Sequence, residues 1–139
     1  MKPALIWDCS AAIAMAFEDE RDDYSCRALR IVRREGALVP AIWPMEMVNI
    51  LRVSERRNRI EPSASREFLD MLSELDIRVD SSLNTAGDMA TLYETAGKSS
   101  LTAYDASYLR LALTTGLPLA AKDGKLKEAA KIAGVKLFA

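Results

Sequence analysis

The sequence predicts an α/β protein in which a mainly parallel sheet is covered on both faces by helices. Three observations carry this. Short apolar runs such as Ala4-Leu5-Ile6-Trp7 do not alternate with polar residues, which marks strands buried on both faces. Those runs take turns along the chain with longer segments of helical spacing. Finally, no repeat, low-complexity tract or Gly/Ser linker interrupts the 139 residues, so residues 1–139 are expected to form one domain.

The elements are taken in chain order. Residues 4–7 read as the first strand. Ser10 to Phe17 is an Ala-rich helix, and Asp23 to Glu35 a second, stopped by Gly36. Ala37 to Val39 is a strand ended by Pro40. Trp43-Pro44 opens the next helix, since proline suits a first turn. Its apolar stripe is Met47, Ile50 and Leu51, and its basic stripe Arg52, Arg56 and Arg59. Pro62 opens a helix with Phe68, Leu69, Leu72 and Leu75 at helical spacing. Ile77 to Val79 is a short strand, and Asn84 to Ala96 a helix with Gly97 as terminator. Thr102 caps an apolar helix running to Thr115, closed by Gly116. Leu117 to Ala121 is a strand, Gly124 to Ala133 a helix, and Val135 to Phe138 a fifth strand. The expected order is 3-2-1-4-5, with the first and fourth strands adjacent at the switch point.

Composition removes whole mechanisms. With 50% hydrophobic and 28% charged residues the chain has the make-up of a folded protein, not a disordered tail. It contains no histidine, which excludes Ser-His-Asp and Cys-His catalysis and His-based zinc sites. Cys9 and Cys26 form no C-x-x-C motif and are expected to be free thiols. Polar chemistry therefore rests on the 20 carboxylates, the hydroxyls and the bases, and any metal would be a hard cation such as Mg²⁺ or Mn²⁺. The apolar run after Lys2 is too short for a signal peptide or membrane span, so a cytoplasmic protein is expected.

The net charge of −1 is unevenly spread: −4 over residues 1–23, +5 over residues 27–59 and −2 beyond. The arginine-rich middle suits either phosphate or a solvated helix face.

Four acids fall where ligands bind in such sheets, at the carboxyl ends of strands. Asp8 follows the first strand, and Glu46 lies in the first turn after the second. Asp105 lies in the first turn of the helix feeding the fourth strand, and Asp123 just beyond that strand. Together they would repel one another, and a divalent cation is the natural remedy. Each also has an innocent alternative: Asp8 as a helix cap with Ser10, Glu46 as a helix-dipole partner, Asp105 as half of a T-x-x-D capping box with Thr102, and Asp123-Gly124 as a turn.

These stretches resemble a known family. Leu5-Ile6-Trp7-Asp8-Cys9-Ser10 is similar to the opening strand and D-x-S of PIN domains. Trp43-Pro44-Met45-Glu46-Met47-Val48-Asn49 resembles their second motif, a glutamate three residues before an asparagine. Leu101-Thr102-Ala103-Tyr104-Asp105-Ala106-Ser107-Tyr108-Leu109 resembles their stretch L-T-x-Y-D-A-x-Y-L. The resemblance implies a PIN-like three-layer α/β/α sandwich with a roughly five-stranded sheet. It also implies a Mg²⁺- or Mn²⁺-dependent endoribonuclease, of the size of a VapC-type toxin from a toxin–antitoxin pair. Asp8, Glu46, Asp105 and Asp123 become the metal-holding catalytic acids, with Ser10, Asn49 and Thr102 in support. Arg52, Arg56, Lys122 and Lys125 are candidates to hold RNA. The implied partners are RNA, a small antitoxin protein and a second copy of the chain. One departure stands out: Ala121 occupies the position, two before the last acid, where the family usually has threonine.

Two other readings fit parts of the sequence. A phosphoacceptor receiver domain needs an acidic pair after the first strand, and Asp8 is followed by Cys9, although Asp80 follows the third strand. A PIN scaffold that binds RNA or protein without cutting keeps the same acids.

Overall fold

The computed structural model describes residues 2–139; Met1, the first residue of the expected domain, lies outside them. Four parallel strands form one sheet in the order β3-β2-β1-β4, flanked by helices α1 to α7. The strands are β1 (Leu5–Trp7), β2 (Ala37–Val39), β3 (Ile77–Val79) and β4 (Leu119–Ala120). The helices are α1 (Cys9–Ile13), α2 (Asp23–Glu35), α3 (Trp43–Arg56), α4 (Pro62–Ser73), α5 (Met89–Ser99), α6 (Ala103–Thr115) and α7 (Gly124–Ile132).

Strand β1 is central, with Leu5, Ile6 and Trp7 all fully buried, as its unbroken apolar run requires. It pairs Leu5 with Ala37 on one side and Ile6 with Leu119 on the other. Around it the core gathers Val32, Met47, Leu51, Tyr108, Leu109, Leu111 and Leu126. Entry to β2 requires Gly36. Its φ of +86° is left-handed, and a Cβ there would stand 2.8 Å from the Asp76 carbonyl oxygen.

The sheet has four strands, not the five expected. Val135–Phe138 is reduced to one parallel bridge, Leu119 to Leu137, fastened by the Leu119 N–H on Lys136 O and the Phe138 N–H on Leu119 O, each 2.9 Å. The cause lies in β4. Leu119 spends its N–H and C=O on the last segment, and the next N–H on that side, from Ala121, turns to the Tyr24 hydroxyl, so β4 offers its neighbour almost no ladder.

Two helices also differ. The Ala-rich helix ends at Ile13 and tightens into a 3₁₀ turn over Ala14–Ala16. The segment from Asn84 begins with a 3₁₀ turn, Ala86–Asp88, under a Thr85/Asp88 capping box, and α5 proper starts at Met89. Gly97 does not terminate it. The helix runs through that glycine, at a cost of about 1 kcal/mol relative to alanine, and stops at Ser100 in the left-handed conformation, φ 57°.

Candidate active site: an acidic cleft at the carboxyl edge

Parallel strands all present their carboxyl ends to one edge, and the chain leaves each into a turn or a helix N-terminus. Asp8, Glu46, Asp105 and Asp123 are brought to this edge from four separate places in the sequence and line one cleft of about 350 Å³. Cys9, Ser10, Glu20 and Lys122 line it with them.

Asp8 is only 4% exposed. It stands at the N-cap position of α1, yet its side chain makes no capping hydrogen bond, so that innocent role is not the one it fills. Its backbone N–H donates to Ala120 O at 2.9 Å, tying it to the β4 edge, and the Ser10 hydroxyl donates to its Oδ2. Burial pushes its carboxyl up to about 7; the Ser10 hydrogen bond opposes this, and the charges of Glu46, Asp105 and Asp123 add to it.

Glu46 sits in the first turn of α3, behind Pro44, and receives a 2.5 Å hydrogen bond on Oε1 from the Tyr108 hydroxyl. Burial raises its carboxyl above the ordinary range, against the Tyr108 hydrogen bond and with the help of Asp105. Asp105 opens α6. Thr102 accepts its N–H at 3.2 Å, the threonine half of the expected capping box. Its carboxyl is raised by burial and by Asp123, and lowered by Lys125. Asp123 caps α7, with Oδ1 accepting the Lys125 N–H at 2.9 Å, so one oxygen is occupied.

Among the described residues, no three Asp, Glu or Cys side chains stand drawn together as a ready cage for an ion. Burial first, and the charges of neighbouring acids second, raise the carboxyls of Asp8, Glu46 and Asp105. The donor set itself, four carboxylates and a serine hydroxyl, suits a hard divalent cation in chemistry.

Asn49 and three of the four expected cations stand outside the cleft lining. Asn49 is exposed on α3 three residues beyond Glu46. Arg52 lies about 120° round the helix from Glu46. It pairs with Glu55 at 3.1 Å and borders the groove between α3 and α4, not the acidic cleft. Arg56 is exposed in the last turn. The Lys122 ammonium reaches Asp22 at 2.9 Å and Glu20 O at 3.1 Å. Lys125 is exposed and close enough to act on Asp105.

Two tyrosines at this edge were not singled out from sequence. Tyr108, fully buried, holds Glu46. Tyr24 accepts the Ala121 N–H at 3.1 Å while Ser10 Oγ accepts the Lys122 N–H at 2.9 Å. The turn ahead of Asp123 is thus held by hydroxyls from α1 and α2, although Ala121 has none of its own. For Tyr108 a signal existed: a phenol amid an apolar helix needs an acceptor, and Asp105 three residues earlier marks which edge is near.

A cavity of about 690 Å³ lies elsewhere, between the turn after α1 and the α3–α4 connection. Its Arg59 is spent on Asp19 and Glu20 and lies 4.0 Å over the Phe17 ring, and none of the four acids lines it. Volume alone therefore does not mark the chemistry.

The family model described as PIN domain matches residues 5–132. Among solved structures, the chain is similar to one described as the crystal structure of PAE2754 from Pyrobaculum aerophilum. That likeness has a TM-score of 0.70 and 24% identity, covers 93% of this chain and 87% of the other, and is a likeness of fold. No curated protein matches.

Proposed function

The chain belongs to the PIN-domain family, and from that premise we propose that it is a metal-dependent endoribonuclease, cutting RNA phosphodiester bonds as the toxin of a toxin–antitoxin pair. PIN domains are typically nucleases and typically use divalent metals. The observation that carries the reading for this chain is the convergence of Asp8, Glu46, Asp105 and Asp123 on one cleft.

In this reading those four acids hold Mg²⁺ or Mn²⁺. Such an ion, when bound, acidifies water and offsets charge on a phosphate oxygen. The chain's own groups supply the rest. Ser10 orients Asp8 and grips the Lys122 N–H, joining the β1 and β4 ends of the site. Thr102 fixes the turn that carries Asp105, and Asp123 divides its oxygens between the α7 cap and the cleft. Glu46 or Asp123 accepts the proton released by the attacking water. Asn49 is assigned a supporting role on the outer side of Glu46. Lys125 is the cation best placed for an RNA phosphate and Arg56 is exposed in the last turn of α3, while Arg52 must first release Glu55, and Lys122 both Asp22 and the Glu20 carbonyl.

An antitoxin segment bearing arginine or lysine complements the four carboxylates that line the cleft. A homodimer is supported by exposed apolar residues: Val48, Leu69 and Val79 border one depression, Met45 stands nearby on α3, and Met89 and Tyr93 are bare on α5. No helix among the described residues is long and apolar enough to cross a membrane. A single domain in the cytoplasm, where RNA and antitoxin meet it, completes the proposal.

Purified protein should cut single-stranded RNA in Mg²⁺ or Mn²⁺ and stop when the metal is chelated, and Asp8→Asn should not cut. RNA bound but uncut in either metal favours the non-cleaving scaffold. Expression should arrest growth, and co-expression of a neighbouring small protein should restore it. Harmless expression of a cutting enzyme removes the toxin role alone. Sedimentation as a monomer at tens of micromolar removes the dimer.

A further inference from the structure

Tyr108 lies on α6, three residues after Asp105, and is fully buried. A buried phenol must spend its proton, because an unpaired hydroxyl away from water is destabilising. Its acceptor is neither backbone nor a neighbour on its own helix. It is Glu46 Oε1, 62 residues away in sequence on α3, at 2.5 Å. The ring is locked among core side chains, so the hydroxyl is a fixed donor on a rigid element.

Glu46 is a long side chain in a half-buried position, and the only hydrogen bond to its carboxylate among the described residues is this one. Left free it would sample several rotamers, and ordering so long a side chain costs conformational entropy. The phenol removes that freedom in advance and takes one oxygen, leaving Oε2 as the carboxylate's unengaged atom. Groups that orient metal-binding side chains in this way typically govern affinity as well as geometry. Asp8 has its hydroxyl partner in Ser10; Tyr108 gives Glu46 the equivalent from the opposite side of the sheet edge.

We propose that Tyr108 is a positioning residue of the acidic cleft, its hydroxyl holding the Glu46 carboxylate in the orientation that receives a divalent cation. This rests on the reading of the cleft as a cation site. Tyr108 touches neither the ion nor RNA; it acts through Glu46.

The test is calorimetric titration with Mn²⁺ alone. Tyr108→Phe keeps the ring and its packing and removes only the hydroxyl. Its affinity should fall about tenfold, the lower end of the range for such partners. In a Glu46→Gln background the same change should have no further effect, a coupling that loss of packing alone would not produce. Equal affinity in folded Tyr108→Phe and wild type, with Glu46→Gln still weakened, overturns the proposal and leaves the metal site standing. Wild-type protein that takes up no Mn²⁺ overturns both. Should Tyr108→Phe not fold, 3-fluorotyrosine at position 108 reports instead. Its fluorine resonance should move on Mg²⁺ addition and stay still when Glu46→Gln is present; a resonance indifferent to Mg²⁺ in the wild-type background overturns the proposal.

Discussion

Asp8 and Asp22 occupy the same position relative to their helices, the N-cap of α1 and of α2, and they behave in opposite ways. Asp22 does what a capping aspartate does. It accepts the Ser25 N–H at 2.8 Å and pairs with Lys122, and those two partners hold its carboxyl well below the usual range. Asp8 caps nothing, is buried, and faces three other acids, which together with that burial lift it to about 7. The contrast separates a carboxylate whose charge is answered within the fold from one that has a single hydroxyl, Ser10, to set against burial and three like charges.

Exchanging each for a neutral residue should break the contrast in opposite directions. Asp8→Asn should abolish cleavage yet raise the melting temperature of the metal-free protein at pH 8, because it removes a buried charge that the Ser10 hydrogen bond does not offset. The gain is bounded at about 4 kcal/mol by the rise from 3.8 to about 7. Asp22→Ala should keep cleavage and lose about 1 kcal/mol, the usual worth of an N-cap. An Asp8→Asn protein that is less stable than wild type at pH 8 would show that the fold answers this charge after all.

The same pair sets a pH dependence. Carboxyls raised in the folded state, namely Asp8, Glu46 and Asp105, contribute stability that is full below their unfolded values and lost as pH rises through the folded ones, for Asp8 between about 4 and about 7. Asp22 and Asp88 are lowered, so their contribution is present above the unfolded value and fades only in stronger acid. Metal-free protein should therefore lose denaturant resistance from pH 4 to pH 7. Asp8→Asn should flatten that slope, and Mn²⁺ should restore stability at the alkaline end. A flat wild-type profile across this window would contradict the electrostatic picture of the cleft.

The comparison also explains what sequence made legible. The bounds of α2, α3, α4, α6, β2 and β3 come from local punctuation, Gly36, Pro44, Pro62, Thr102 and Gly116, because caps and breakers act within one turn. Val135–Phe138 and Gly97 misled for the complementary reason. Whether an apolar run pairs depends on the length of the strand beside it, and whether a glycine ends a helix depends on the residues beyond it. The acids of the cleft were legible because each directly follows a strand or opens a helix. Tyr108 signalled only that its phenol needs an acceptor, and Tyr24 not even that, since the partner of such a hydroxyl is chosen by tertiary packing 62 or 97 residues away. Nor does the basic stripe of α3 reveal its rotation: Glu46 and Ile50 take the cleft side, which turns Arg52 toward α4.

That rotation yields the smallest effect. Each phosphate contact releases counterions, so losing one lysine that makes such a contact should weaken RNA binding at every sequence and reduce the salt slope by about 1. Lys125 is exposed at the start of α7 and its charge is felt at Asp105, so Lys125→Ala should show this change. Arg52 stands off the cleft and already faces Glu55, so Arg52→Ala should leave the slope within a fraction of that value. Both variants should retain the wild-type melting temperature, because neither side chain is buried. The measurement is binding of a short single-stranded RNA to the uncutting Asp8→Asn protein across a salt series. If Arg52 and Lys125 reduce the slope equally, the RNA path extends over α3 toward α4, and the boundary between answered and unanswered charge no longer coincides with the rim of the cleft.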